Sequence, residues 1–305
     1  MSAELEMPEN ELYIGALVVN PLLPLWGPGK VAHIRDDMAW VLFRDAPGRA
    51  ARRFRLERLR LAPSQTDPIL DNLPPFVQEG GEFVLPGERL TVQEAIRRFL
   101  DAYPGGFRDP AYLGDARHGE RNYKWSAHEL YVELLGAGQA EQLLASGDVA
   151  ELAARANRVT GRVNLLALTE AAAFREGLAD ADAAGRYFTA LLALLESAPG
   201  ETVFRSYAEA VASLPAVGES HTDKWTVATL LPFLARPDTW MFVKPTNTRR
   251  AGERLGFELH YDPRPNWRTY EAVLRMSTLY VQLLEDLAPR DLIDIQSFFW
   301  VTSRK

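Results

Sequence analysis

Two aspartates are placed where a carboxylate could do chemical work. Asp294 lies in the middle of Asp291-Leu292-Ile293-Asp294-Ile295-Gln296-Ser297-Phe298-Phe299-Trp300-Val301. Wound as a helix, this stretch is apolar on nearly every face, which predicts a buried helix. A carboxylate carried into an interior needs a partner or has a task. Asp223 lies in the polar run Gly218-Glu219-Ser220-His221-Thr222-Asp223-Lys224-Trp225, which opens directly into a helix. Thr222 or Asp223 is placed there as an N-cap, and the free N–H groups of a helix start favour an anion. Each aspartate has two readings at this point: an ion pair or helix cap, or a group that stabilises developing positive charge or orients water.

Cations and aromatic rings gather at three further places. Arg44, Arg49, Arg52, Arg53, Arg55, Arg58 and Arg60 fall within 17 residues. The planar guanidinium fork suits phosphate, and a solvated or salt-bridged face accounts for the run equally. In Glu120-Arg121-Asn122-Tyr123-Lys124-Trp125 an aromatic flanks a lysine, which would suit a base stacked beside a phosphate contact; the same rings could simply pin a loop to the core. Lys224 beside Trp225, and Trp240 followed by Lys244, Arg249 and Arg250, mark two helix starts rich in cations and indoles. Trp267 opens a later helix. These patterns nominate Arg49, Arg52, Arg53, Arg55, Lys124, Lys224, Lys244, Arg249 and Arg250 for phosphate contact, and Tyr123, Trp225, Trp240 and Trp267 for stacking on a base.

Much chemistry is excluded. With no cysteine there is no disulfide, thiolate metal site or cysteine nucleophile. His33, His118, His128, His221 and His260 show no ligand spacing, so no metal site is expected. No Walker A, G-x-G-x-x-G or G-x-S-x-G motif occurs, and no cofactor is expected. The first eleven residues are acidic rather than signal-like, and no apolar run approaches the roughly 20 residues of a membrane span; both point to a cytoplasmic protein without a membrane partner. The net charge of -7 argues against a general nucleic-acid coat protein. The charge is uneven, however: residues 12–63 carry nine Lys/Arg against four Asp/Glu, and residues 64–200 carry twelve against twenty. A local basic patch can still steer a polyanion.

The elements that must position these groups divide the chain in three. Residues 12–63 show short β-type runs at Ala16–Val19, Gly29–Ile34, Ala39–Phe43 and Arg52–Leu56, broken by Gly27-Pro28-Gly29 and Pro47-Gly48. This predicts a small curled barrel. Residues 64–90 are a linker dense in proline and glycine, which Phe76, Val77, Phe83 and Val84 are expected to pack down in places. Residues 91–305 are helical, beginning with a Thr91…Glu94 capping box and continuing through about ten Ala- and Leu-rich helices. The expected fold is therefore mainly α, with a small N-terminal SH3-like β-barrel. The helical part is either HEAT-like or an irregular bundle, because no regular repeat period appears.

The string Val18-Val19-Asn20-Pro21…Gly27-Pro28-Gly29-Lys30-Val31…Ala39-Trp40-Val41-Leu42-Phe43 resembles the tudor-like or SH3-like modules of bacterial nucleic-acid enzymes. It departs from them at Asn20, where histidine is common, and in the extra residues Leu22–Leu25. Such modules bind protein or nucleic acid. The large domain, with "YPGGFRDPAYL", "ERNYKWSAHELYVELLG", "HTDKWTVATLLPFLARPDTWMFVKP" and "PRDLIDIQSFFWV", resembles a family of bacterial helical proteins. It is also similar to antiviral DNA glycosylases related to the HEAT-repeat alkylpurine glycosylases. That resemblance implies an all-helical domain with aromatics and an acidic residue around a target nucleotide. It carries no catalytic position over, so the candidates rest on residue chemistry: Asp294 or Asp223 as the carboxylate, with DNA as partner. The alternative is a non-catalytic adaptor whose barrel recruits nucleic acid or a protein.

Overall fold

The computed structural model describes residues 12–115, 118–215 and 221–304. The chain forms two compact units. Of the described residues, one contains those from 12 to 97 and from 252 to 258, and the other those from 98 to 251 and from 259 to 304. Residues 64–90 thus belong to the first unit and do not hang free between the two.

The first unit is built on a five-stranded antiparallel sheet: β1 (Leu17–Val19), β2 (Gly29–Arg35), β3 (Met38–Phe43), β4 (Arg52–Arg55) and β5 (Arg60–Leu61), in the order β4-β3-β2-β1-β5. β5 was not expected from sequence: two residues are too few to show alternation, and only their pairing with Val18 and Val19 makes them a strand. Alternation in β3 sends Ala39, Val41 and Phe43 into one core with Val18, Val31 and Phe54. Trp40 and Leu42 go to the opposite face. Gly29 permits the close crossing of β2 over β3, since a Cβ there would lie 2.6 Å from Val41 Cγ1. A one-turn 3-10 helix, Leu56–Arg58, joins β4 to β5. The hairpin of β6 (Val77–Glu79) and β7 (Glu82–Val84) lies in the proline-rich stretch, whose Leu70, Leu73 and Leu85 pack with Leu17 and Leu42 in a second cluster. The buried Arg89 holds the turn after β3, donating to the carbonyls of Ala46 and Gly48 at 2.9 and 3.0 Å and also to that of Arg44.

Among the described residues there are twelve α-helices: α1 (Val92–Ala102), α2 (Pro110–Leu113), α3 (Asn122–Leu135), α4 (Gln139–Ala145), α5 (Val149–Thr160), α6 (Leu168–Gly177), α7 (Ala181–Glu196), α8 (Glu201–Ala212), α9 (Trp225–Ala235), α10 (Pro245–Leu255), α11 (Trp267–Leu283) and α12 (Leu292–Ser303). The expected capping box forms: Thr91 Oγ1 accepts from Glu94 N at 3.2 Å, and Glu94 accepts from Thr91 N at 2.8 Å. α9 is buried at every residue and packs against α3, α5, α6, α7 and α8. Helices far apart in sequence thus meet on one central element, the arrangement of an irregular bundle; a stack would pair each helix mainly with its chain neighbours.

Candidate functional site

Asp294 is where the sequence places it, in the buried α12, and its exposure is zero. Its carboxylate is fully engaged. It accepts from the Tyr112 hydroxyl at 2.5 Å, from Arg121 Nη1 at 3.0 Å, and from the backbone N, Nε and Nη2 of Arg290 at 2.9, 2.9 and 3.0 Å. Asp291 caps α12 and takes both Nη atoms of Arg121 at 2.6 Å. Burial opposes the Arg121 charge, but the hydrogen bonds and charges of Asp291 and Asp294 hold its pKa above the usual value. Burial pushes the Tyr112 hydroxyl far up, and the neighbouring Asp294 adds to the shift. The arrangement is a closed ion-pair network with no lone pair turned toward a ligand, which takes Asp294 out of consideration as a catalytic group.

The same network corrects Lys124. The lysine is buried rather than on a loop, because α3 begins at Asn122 and carries it toward α12. Its ammonium donates to Glu120 at 3.1 Å, Gln296 at 2.6 Å and Ser297 at 3.0 Å, so all three donors are used and none reaches a phosphate. Burial lowers its pKa, and Glu120 works in the opposite direction. Tyr123 is half-buried, its ring 5.3 Å from that ammonium. Trp225 and Trp240 are also corrected: both are fully buried and offer no face to a base. They flank Tyr270, at ring-centroid distances of 6.1 Å each, in an aromatic core that includes Phe204. Trp225 Nε1 donates to the Asp262 carbonyl at 2.8 Å.

Asp223 and Trp267 do meet. They line one cleft of about 460 Å³, within the usual size range of small-ligand pockets. One wall is a single face of α8, formed by residues 201, 205, 208, 209 and 212 at helical spacing. The small Ala208 and Ala212 leave the space open, while Glu201, Arg205 and Glu209 line it with charge. The other wall is the start of α11, with Arg264, Arg268 and the half-buried Trp267. Asn266 fixes that wall by capping α11, accepting from Thr269 N at 3.0 Å. The Trp267 ring rests against Phe204 and Tyr270, at 5.9 and 6.4 Å, on the edge of the aromatic core. Among the described residues no hydrogen bond or ion pair engages the Asp223 carboxylate. Asp223 is not the cap of α9. Lys224 occupies that position, and Thr222 instead donates to the Val211 carbonyl at 2.7 Å. The cleft thus combines an uncommitted carboxylate, an indole, three guanidiniums and two further carboxylates.

The remaining cations lie elsewhere. Lys224 is exposed beside Asp223 but does not line the cleft. Lys244, Arg249 and Arg250 are exposed around the start of α10, with Arg249 5.2 Å over the Tyr261 ring. In the sheet unit Arg49 is paired with Glu79 at 2.5 Å, Arg52 lies 4.3 Å over Trp26, and Arg53 and Arg55 project into solvent from β4. Among the described residues no group of histidines and carboxylates is placed to bind a metal, and no helix is long and apolar enough to cross a membrane. Comparison of the chain with protein-family models, with curated proteins and with solved structures finds no match.

Proposed function

We propose that this chain acts on DNA and that the cleft between α8 and α11 receives one nucleotide, whose base–sugar bond it hydrolyses. The observation that carries the reading is the convergence of Asp223 and Trp267 on one cleft with Arg205, Arg264 and Arg268. An indole suits the face of a base, guanidiniums suit its phosphate, and a carboxylate suits the positive charge that grows on the sugar as the bond breaks. Water adds to C1′, the C1′–N bond breaks, and the water's proton ends on the departing base. The nucleotide would first leave its stack, as enzymes that work on a base require. The all-helical unit agrees with the resemblance to antiviral DNA glycosylases. The strand order and the 3-10 turn before β5 agree with an SH3-like module in front of it. The test is to incubate the purified chain with DNA carrying normal, alkylated, oxidised and deaminated bases and to probe for abasic sites. The expected result is product from at least one substrate, reduced at least tenfold by Asp223→Asn and by Trp267→Ala. Absence of product across the panel, or product indifferent to both changes, overturns the proposal.

The second reading, a binding adaptor, is favoured by one observation: Arg53 and Arg55 stand exposed on the sheet and have no acidic partner among the described residues. It predicts nucleic-acid or protein binding that tolerates Asp223→Asn and is abolished by reversing the charges of Arg52, Arg53 and Arg55.

A further inference from the structure

The arginine run is not uniform once folded. Arg44 pairs with Asp45 and Asp67, Arg49 pairs with Glu79, and Arg60 donates to the Glu57 and Leu59 carbonyls. Arg53 and Arg55 alone on β4 are both exposed and without a bonded partner among the described residues. Their direction follows from the register. Arg53 is opposite Trp40 and Arg55 is opposite Met38, so all four side chains share the face turned away from the Ala39, Val41 and Phe54 core. The β2 bulge between Val31 and His33 puts His33 opposite Trp40 on that same face. Phe83 stacks on His33 at 4.5 Å and meets Trp40 edge-on at 5.8 Å. Phe83, His33 and Trp40 thus form a row of half-buried rings, Phe83 and Trp40 packed on one side against the second cluster, with Arg53 at the register position opposite Trp40.

We infer that the β4 edge of this face binds single-stranded nucleic acid: Arg53 and Arg55 hold successive phosphates, and the solvent-facing parts of Trp40 and His33 supply the surface against which an unpaired base rests. The inference rests on the nucleic-acid reading above and assigns it a strand preference. Two strand rises separate the arginines by about 6.7 Å, on the scale of neighbouring phosphates in an extended strand. Unpaired cations answer a polyanion, and the ring row adds a contact that a duplex, its bases stacked inward, does not make. An acidic protein would satisfy the arginines but would not call on the solvent-facing parts of the rings.

Fluorescence anisotropy of the full chain with a labelled single-stranded 20-mer, across a salt series and beside the matching duplex, tests this. The single strand is expected to bind at least tenfold more tightly than the duplex. Arg53→Glu/Arg55→Glu should flatten the slope of log affinity against log salt by about 1.4, at roughly 0.7 per phosphate contact on a single strand. The same charge change at Arg175 and Arg186, exposed on the helical unit, should leave the slope in place. Trp40→Phe keeps a ring in the row and should cost less than Trp40→Ala, which is expected to weaken binding about tenfold or more. Equal binding of duplex, or a slope unchanged in the β4 variant, overturns the inference. Absence of abasic product from the wild-type chain while it binds the strand therefore counts against the cleft reading alone, and wild-type product with unchanged binding by the β4 variant counts against this one alone.

Discussion

Replacing Asp294 with alanine removes the centre of the most heavily bonded buried network in the helical unit, and the structure sets the size of the effect. Breaking a buried ion pair by removing one partner costs about 3–5 kcal/mol, because the other charge is left uncompensated. Two features place this case near the lower end. Arg290 is 40% exposed and can turn its guanidinium to water, and Arg121 keeps both bonds to Asp291. What remains is the Tyr112 hydroxyl, buried without its acceptor, and an Arg121 charge deprived of half its counter-charge. About 3 kcal/mol is expected, which at about 2–4 °C per kcal/mol for a unit of roughly 200 residues lowers the midpoint by about 6–12 °C. Thermal unfolding followed by circular dichroism at 222 nm measures it. Asp294→Asn keeps the volume and one acceptor and should fall between wild type and Asp294→Ala, with unchanged activity per folded molecule. A loss under about 1 kcal/mol for the alanine variant would refute the structural assignment. So would an asparagine variant that stays fully folded but loses its activity.

Lys124 links stability to pH. Burial holds its pKa below the usual 10.5 in the folded state, so between the lowered value and 10.5 the unfolded chain binds more protons and stability rises with pH. Urea unfolding of wild type and Lys124→Met should show the wild-type advantage growing as pH climbs through that window; parallel curves would contradict the shift. Thr91→Ala removes the hydroxyl that accepts from Glu94 N, leaving the backbone N–H of residue 91 bonded to Glu94, and should cost about 1 kcal/mol in the unfolding of the sheet unit. A loss of less than a few tenths would mean that the cap is not formed in solution.

Legibility from sequence followed the physical range of each signal. Local signals held: alternation gave β3, glycine and proline gave the turns, helical spacing gave ten of the helices, and the all-round apolar stretch gave a buried α12. Signals carried by pairing across the chain did not. β5 exists through its bonds to β1; the packing-down of the proline-rich stretch was legible in Phe76, Phe83 and Val84, but the burial of Leu70, Leu73 and Leu85 beside them was not. At the site, residue chemistry nominated Asp223 and Trp267, and the fold brings them together. It withdrew Asp294, Lys124, Trp225 and Trp240, since a residue type does not reveal whether a polar group is already satisfied. Arg121 was legible in retrospect: a buried aspartate demands a cation, and Arg121 and Lys124 are spaced to share a helical face. Arg205, Glu209, Arg264 and Arg268 were not, because exposed charges carry no mark until Ala208 and Ala212 open a cleft beside them.

The chain's seven tryptophans allow one direct measurement of where a nucleotide sits. With indole ¹⁵N labelling, each ring gives one resonance, assigned by single Trp→Phe replacements. Adding an excess of a short single-stranded oligonucleotide should shift the Trp267 signal, with Trp225 and Trp240 unmoved in the core. A Trp267 resonance that stays fixed while anisotropy reports saturated binding would contradict the claim that the α8–α11 cleft holds the nucleotide.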